Sequence, residues 1–147
     1  AGRHMIPRRS GKIINIASIN SFVGGDNYAP YSSSKGGVSQ LTKALSNEWA
    51  KHNIQVNAIA PGSVATDMYE TPFSSRITMK EGDSELCFNR NTDLRSDPQG
   101  VLSGIVGCPA GRWGTPADYA GPAVFLASDA SQFVSGEVLV VDGGFLS

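Results

Sequence analysis

Tyr31-Ser32-Ser33-Ser34-Lys35, with Ser18 upstream, holds the residue types best suited to moving a proton. Lys35 lies four positions after Tyr31, so on a helix the two share a face. A phenol normally keeps its proton until about pH 10 and is a poor base at neutrality. A fixed ammonium group nearby favours the phenolate. Such a pair could exchange a proton with an alcohol or carbonyl oxygen. Ser18 follows the apolar run Ile13-Ile14-Asn15-Ile16-Ala17, which as a buried strand would deliver its hydroxyl at the C-terminal tip. Open α/β sheets keep their sites at that end. By itself a Tyr-x-x-x-Lys pair is an ordinary feature of a helix surface, so the surrounding chain has to decide.

The elements that would position these residues alternate. Arg3 to Ile6 reads as the end of a helix closed by Pro7 and a Ser10-Gly11 turn. Lys12 to Ala17 predicts a strand covered on both faces. Ser18 to Ala29, rich in glycine and polar residues, predicts a loop over the strand ends. A helix is predicted from about Pro30 to Lys51, with Val38, Leu41, Leu45 and Trp49 as its buried stripe. Gly36-Gly37 is awkward there and implies another helix or a cofactor packed close. Ile54 to Ala60 predicts a second strand, broken by Pro61-Gly62. Thr115-Pro116-Ala117-Asp118 has an N-cap, a proline and an acid in the right order to open a helix reaching about Ala127. Val138 to Val141 predicts a third strand, stopped by Asp142-Gly143-Gly144, where Asp142 reads as a turn residue. Strands and helices alternating in this way imply an α/β fold with a parallel sheet.

The 147 residues suffice for one domain with a core. A hydrophobic content of 40%, a charged content of 17% and a net charge of −1 without a basic run point away from disorder, nucleic acid and anionic membranes. No apolar stretch approaches the ~20 residues of a membrane span, and no signal peptide is visible. Cys87 and Cys108 form neither a metal spacing nor a disulfide framework, and His4 and His52 stand far apart. No metal site is expected, and the reading is of a reduced, cytoplasmic protein.

Ile14-Asn15-Ile16-Ala17-Ser18, Tyr31 to Lys35, Asn57-Ala58-Ile59-Ala60-Pro61-Gly62, Ser135-Gly136 and Val141-Asp142-Gly143-Gly144, in this order, resemble the short-chain dehydrogenase/reductase family. The spacing of 13 between Ser18 and Tyr31 is similar to that family's as well. The resemblance implies a Rossmann-like doubly wound parallel sheet, hydride transfer between NAD or NADP and a secondary alcohol or ketone, and a homotetramer at full length. It makes Ser18, Tyr31 and Lys35 the catalytic residues. Tyr31 and Lys35, with Pro61, Gly62, Val64 and Thr66, become the cofactor-binding set. Thr66 reads equally well as a helix N-cap. Pro109 to Gly114 and Gly121 to Ser128 resemble the gluconate and 2-deoxygluconate dehydrogenase branch, which implies a sugar acid or polyol as substrate.

No two glycines are separated by a single residue, so the glycine-rich pyrophosphate turn of such an enzyme is not in this sequence. By resemblance, residues 1–147 are the C-terminal part of one domain whose N-terminal half is absent, and the chain by itself is expected to be inactive. The alternative is a catalytically dead half-domain, acting as an interaction fragment or arising as a pseudogene-like product. Residues 69–108 are expected to form a lid or insertion region, with Ser74 to Asn91 an irregular, exposed insertion.

Overall fold

Asn15 and Lys12 point to opposite faces of one strand, and each reaches a different helix layer. The computed structural model describes residues 1–25, 28–64 and 108–147. Within them, α1 spans Gly2–Arg8, β1 Gly11–Ile16, α2 Ala29–Trp49, β2 Ile54–Pro61, α3 Ala120–Ala127 and β3 Val138–Val141. The strands form one parallel sheet in the order β1-β2-β3. Asn15 Nδ2 donates to Thr42 Oγ1 on α2 at 2.9 Å, whereas Lys12 Nζ donates to Ser131 Oγ, just beyond α3, at 3.0 Å. Residues an odd number apart on a strand face opposite ways, so α2 and α3 cover the two faces of the sheet. This is the doubly wound arrangement expected.

β2 is the centre. It pairs with both neighbours, and every residue from Ile54 to Ala60 is buried. Among the described residues β1 is an edge, with Ile16 57% exposed. An unpaired apolar edge is a template for further strand pairing.

α2 departs from its expected face. The buried positions are Ser39, Thr42 and Ser46, each one residue beyond the predicted Val38, Leu41 and Leu45. Leu41 is 52% exposed. One residue is about 100° of rotation, so the helix turns hydroxyls rather than leucines toward the sheet. The opposing surface explains this: Ala17, Ala58 and Ala60 leave a shallow floor against which Val38 packs. Small hydroxyls fit there and are satisfied locally. Thr42 Oγ1 donates to the Val38 carbonyl at 2.8 Å, and the Ser46 and Ser135 hydroxyls meet at 2.8 Å. Gly136 (φ 82°) sits against Ser46, where a Cβ would lie 3.1 Å from Oγ. At Gly36-Gly37 no described atom outside the helix backbone and the adjoining residues lies within 4 Å of a Cβ built at either.

The helix boundaries follow local chemistry. Pro30 occupies the first turn of α2, where a missing N–H is harmless. Asn53 ends the following 3₁₀ turn, Ala50–His52, in the left-handed region (φ 57°) and donates its side-chain amide to the Arg9 carbonyl at 3.1 Å. Pro7 lies inside α1 rather than beyond it, and Arg9 in the left-handed region closes that helix. The helix predicted from Thr115 begins as a 3₁₀ turn, Pro116–Tyr119, before continuing as α3. Asp142 is the turn residue expected, its carboxylate accepting the N–H groups of Gly144 (2.8 Å) and Leu146 (2.9 Å). The lid or insertion expected over 69–108 lies outside the described residues except for Cys108, and Ser74 to Asn91 lies wholly outside them.

Candidate active site

Parallel pairing sets Ile16 of β1 beside Ile59 of β2. Ser18 stands two residues beyond the end of β1, and β2 runs on to Pro61 at the C-terminal rim of the sheet. The Ala17 N–H donates to the Ile59 carbonyl at 2.8 Å and carries this pairing to the rim. Ser18 is buried and caps a single 3₁₀ turn, Ile19–Ser21, accepting the Asn20 N–H at 3.2 Å.

The first turns of α2 bring the other two groups to the same rim. Lys35 Nζ donates to the Ile16 carbonyl at 3.0 Å and lies 5.7 Å from the centre of the Tyr31 ring. Tyr28 approaches the same ring edge-on, with centroids 6.1 Å apart and planes at 73°. Tyr31 itself is 42% exposed. A second strand of contacts runs from Ser18 through the Asn20 side chain, whose Nδ2 reaches Ser32 Oγ at 3.5 Å. Ser21 Oγ donates to the Lys35 carbonyl at 2.8 Å and fixes the turn against α2. The structure thus gathers Ser18, Tyr31 and Lys35 around one strand end. Asn20 and Ser32 join them, which sequence reasoning had passed over; a Ser-x-Asn turn at a strand tip was the available signal.

The Pro61 to Val64 segment is held from the other side. The Gly62 N–H donates to the Val141 carbonyl at 3.1 Å, and a Cβ on Gly62 would stand 2.9 Å from Asp142 Cα. Glycine is therefore required there by the approach of β3. Gly114 donates to the Ser63 carbonyl at 2.9 Å and bridges Val64. Arg112 holds this loop closed: its guanidinium grips both Asp118 oxygens at 2.8 and 2.7 Å and also donates to the Trp113 carbonyl at 2.9 Å. Asp118 Oδ2 further accepts the Thr115 N–H and hydroxyl at 2.7 and 2.8 Å. Arg112 first, then Thr115, hold the Asp118 carboxyl well below the usual carboxylate range. Burial pushes the Tyr119 phenol up, and its hydroxyl donates to the Val141 carbonyl at 3.1 Å. A cavity of about 230 Å³ opens between Ser63, Arg112, Tyr119 and Asp142, and Ser18, Tyr31 and Lys35 take no part in its lining. Thr66 lies outside the described residues. Among the described residues no three His, Cys, Asp or Glu side chains gather as a metal site, and no helix is long and apolar enough to cross a membrane.

A parallel sheet is covered on both faces, and a serine, a tyrosine and a lysine stand about the C-terminal end of its edge strand. Residues 1–76 match the short chain dehydrogenase family model, and residues 99–146 match the model described as enoyl-(acyl carrier protein) reductase. The chain belongs to the short chain dehydrogenase family. It is 49% identical over 147 residues to the 2-dehydro-3-deoxy-D-gluconate 5-dehydrogenase of Bacillus subtilis, covering 100% of this chain and 49% of that protein. The Escherichia coli protein of the same name is 45% identical over 148 residues, covering 100% of this chain and 50% of that one. Among solved structures, a gluconate 5-dehydrogenase from Burkholderia cenocepacia in complex with NADP and tartrate is similar with a TM-score of 0.75 and 38% identity, over 99% of this chain and 48% of that one. The chain spans about half the length of the curated relatives it matches.

Proposed function

We propose that this chain carries the proton-transfer part of an NAD(P)-dependent dehydrogenase that interconverts a secondary alcohol and a ketone on a sugar acid or polyol. The observation that carries the reading is the cluster at the β1 tip: buried Ser18, part-exposed Tyr31, and Lys35 anchored on the Ile16 carbonyl beside the Tyr31 ring. The gluconate-type names of the relatives support the substrate class.

The residues present fit the nicotinamide-ribose end of such a cofactor. An ammonium group has three donors, and Lys35 uses one on Ile16, which leaves others for a ribose diol. Pro61, Gly62 and Val64 line the next strand end, and Thr66 would follow them. The sequence has no glycine-rich turn for the pyrophosphate. When bound, the cofactor supplies the acceptor or donor of the hydride. Tyr31 takes the proton of the alcohol oxygen in oxidation and returns it in reduction. Ser18 hydrogen-bonds the same oxygen and stabilises charge developing on it. At full length the protein is a cytoplasmic homotetramer in this reading.

The test is spectrophotometric: the protein at the full length of its relatives is assayed with D-gluconate and NADP, and with 5-keto-D-gluconate and NADPH. Turnover that rises with substrate supports the reading. No cofactor-dependent change with these or other sugar acids and polyols contradicts it.

A further inference from the structure

Ser18 is held twice by the same residue. The Asn20 N–H donates to Ser18 Oγ at 3.2 Å, and Ser18 Oγ donates in turn to Asn20 Oδ1 at 3.4 Å. The amide is oriented for this by its other end, since Nδ2 reaches Ser32 Oγ at 3.5 Å on the turn of α2 that carries Tyr31. A hydroxyl has one proton and two lone pairs. Here the proton faces Asn20 Oδ1 and one lone pair faces the Asn20 N–H. An uncharged substrate oxygen arriving at the rim meets a serine whose proton is engaged.

We propose that Asn20 is a positioning residue that holds the Ser18 proton back from uncharged substrate and releases it as negative charge develops on the reacting oxygen. The inference rests on the role proposed above for Ser18 and Tyr31. A neutral hydroxyl-to-amide bond at 3.4 Å is long and weak, and an oxyanion is a far better acceptor than an amide carbonyl. The Ser18 bond is thereby withheld from the bound ketone and made to the charged state, at the cost of breaking the Asn20 contact on the way to it. No bond beyond the hydrogen bond changes: the proton stays on Ser18 Oγ and its acceptor switches.

The experiment uses the protein at the full length of its relatives, with 5-keto-D-gluconate and NADPH as probes. Asn20→Leu removes the acceptor and frees the Ser18 proton for the ground-state ketone. KM is then expected to fall by about three- to tenfold, the scale of one neutral hydrogen bond, with kcat not reduced and kcat/KM raised. Asn20→Asp strengthens the acceptor, and kcat is expected to fall without any fall in KM. A residue that only shapes the loop would instead lower kcat/KM in both variants. If Asn20→Leu does not fold, Asn20→Asp and Asn20→Ser decide, the serine variant keeping a weaker acceptor and an intermediate KM. An active wild type silenced by Tyr31→Phe, but with KM unmoved or raised in Asn20→Leu, or in Asn20→Ser where the leucine variant does not fold, overturns the inference alone. A wild type that reduces no probe, or a Tyr31→Phe protein that stays active, overturns the functional reading and this inference with it.

Discussion

Lys35 Nζ donates to the main-chain carbonyl of Ile16 at 3.0 Å, joining the second turn of α2 to the last residue of β1. The bond makes one side chain both a fastener between sheet and helix and a cation beside the Tyr31 ring. Lys35→Met should therefore weaken cofactor binding and turnover at full length, and lower stability by about 1 kcal/mol in urea titrations. Lys35→Arg should retain the stability and lose turnover, because a planar guanidinium cannot reproduce the ammonium's donor directions.

Asp118 yields a pH prediction. Its carboxyl is held well below the ordinary range by Arg112 and Thr115, so its folded-state pKa lies under its unfolded one. Its contribution is fully present above about pH 4, where the unfolded carboxyl is ionised, and is lost as pH falls below that. Thermal melts from pH 6 down to pH 2 should show a decline that Asp118→Asn flattens. Parallel curves for the two proteins would contradict the assignment. The pair is exposed, so the effect at neutral pH should be small.

Asn57 is 1% exposed on the central strand, donating to the Val134 carbonyl at 2.9 Å and accepting the Glu137 N–H at 3.0 Å. It fastens the approach to β3. Asn57→Leu leaves both backbone groups unpaired and should cost about 3 kcal/mol, read from denaturant midpoints.

Ile16, 57% exposed on the edge strand, should promote association of the 147-residue chain. Ile16→Lys should reduce light scattering of concentrated solutions while leaving the melting temperature nearly unchanged.

The strands were legible because Ile13 to Ala17, Ile54 to Ala60 and Val138 to Val141 are predominantly apolar, interrupted only by Asn15, Gln55 and Asn57, the pattern of a parallel sheet covered on both faces. Thr115 to Asp118 and Asp142 were legible from local backbone chemistry alone, since their partners lie within four residues. The face of α2 was not. Its leucines promised a greasy stripe, but the alanine floor of β2 selects hydroxyls, and that complementarity exists only once strand and helix are docked. Ser18, Tyr31 and Lys35 could be picked out by type and spacing, whereas the Arg112–Asp118 grip and the Asn20 contacts depend on how turns close in space. Gly36-Gly37 remains without a packing partner among the described residues, and nothing there explains it.

The reading as a whole stands on the Tyr31 hydroxyl. In the protein at the full length of its relatives, Tyr31→Phe keeps the ring that meets Tyr28 and Lys35 and removes only the group that moves the proton. The direct measurement is steady-state turnover beside NADP affinity for the two proteins. Turnover should fall by about a hundredfold or more while affinity stays within about twofold. A Tyr31→Phe protein that keeps a tenth or more of wild-type turnover, roughly the effect of one ordinary hydrogen bond, would contradict the assignment.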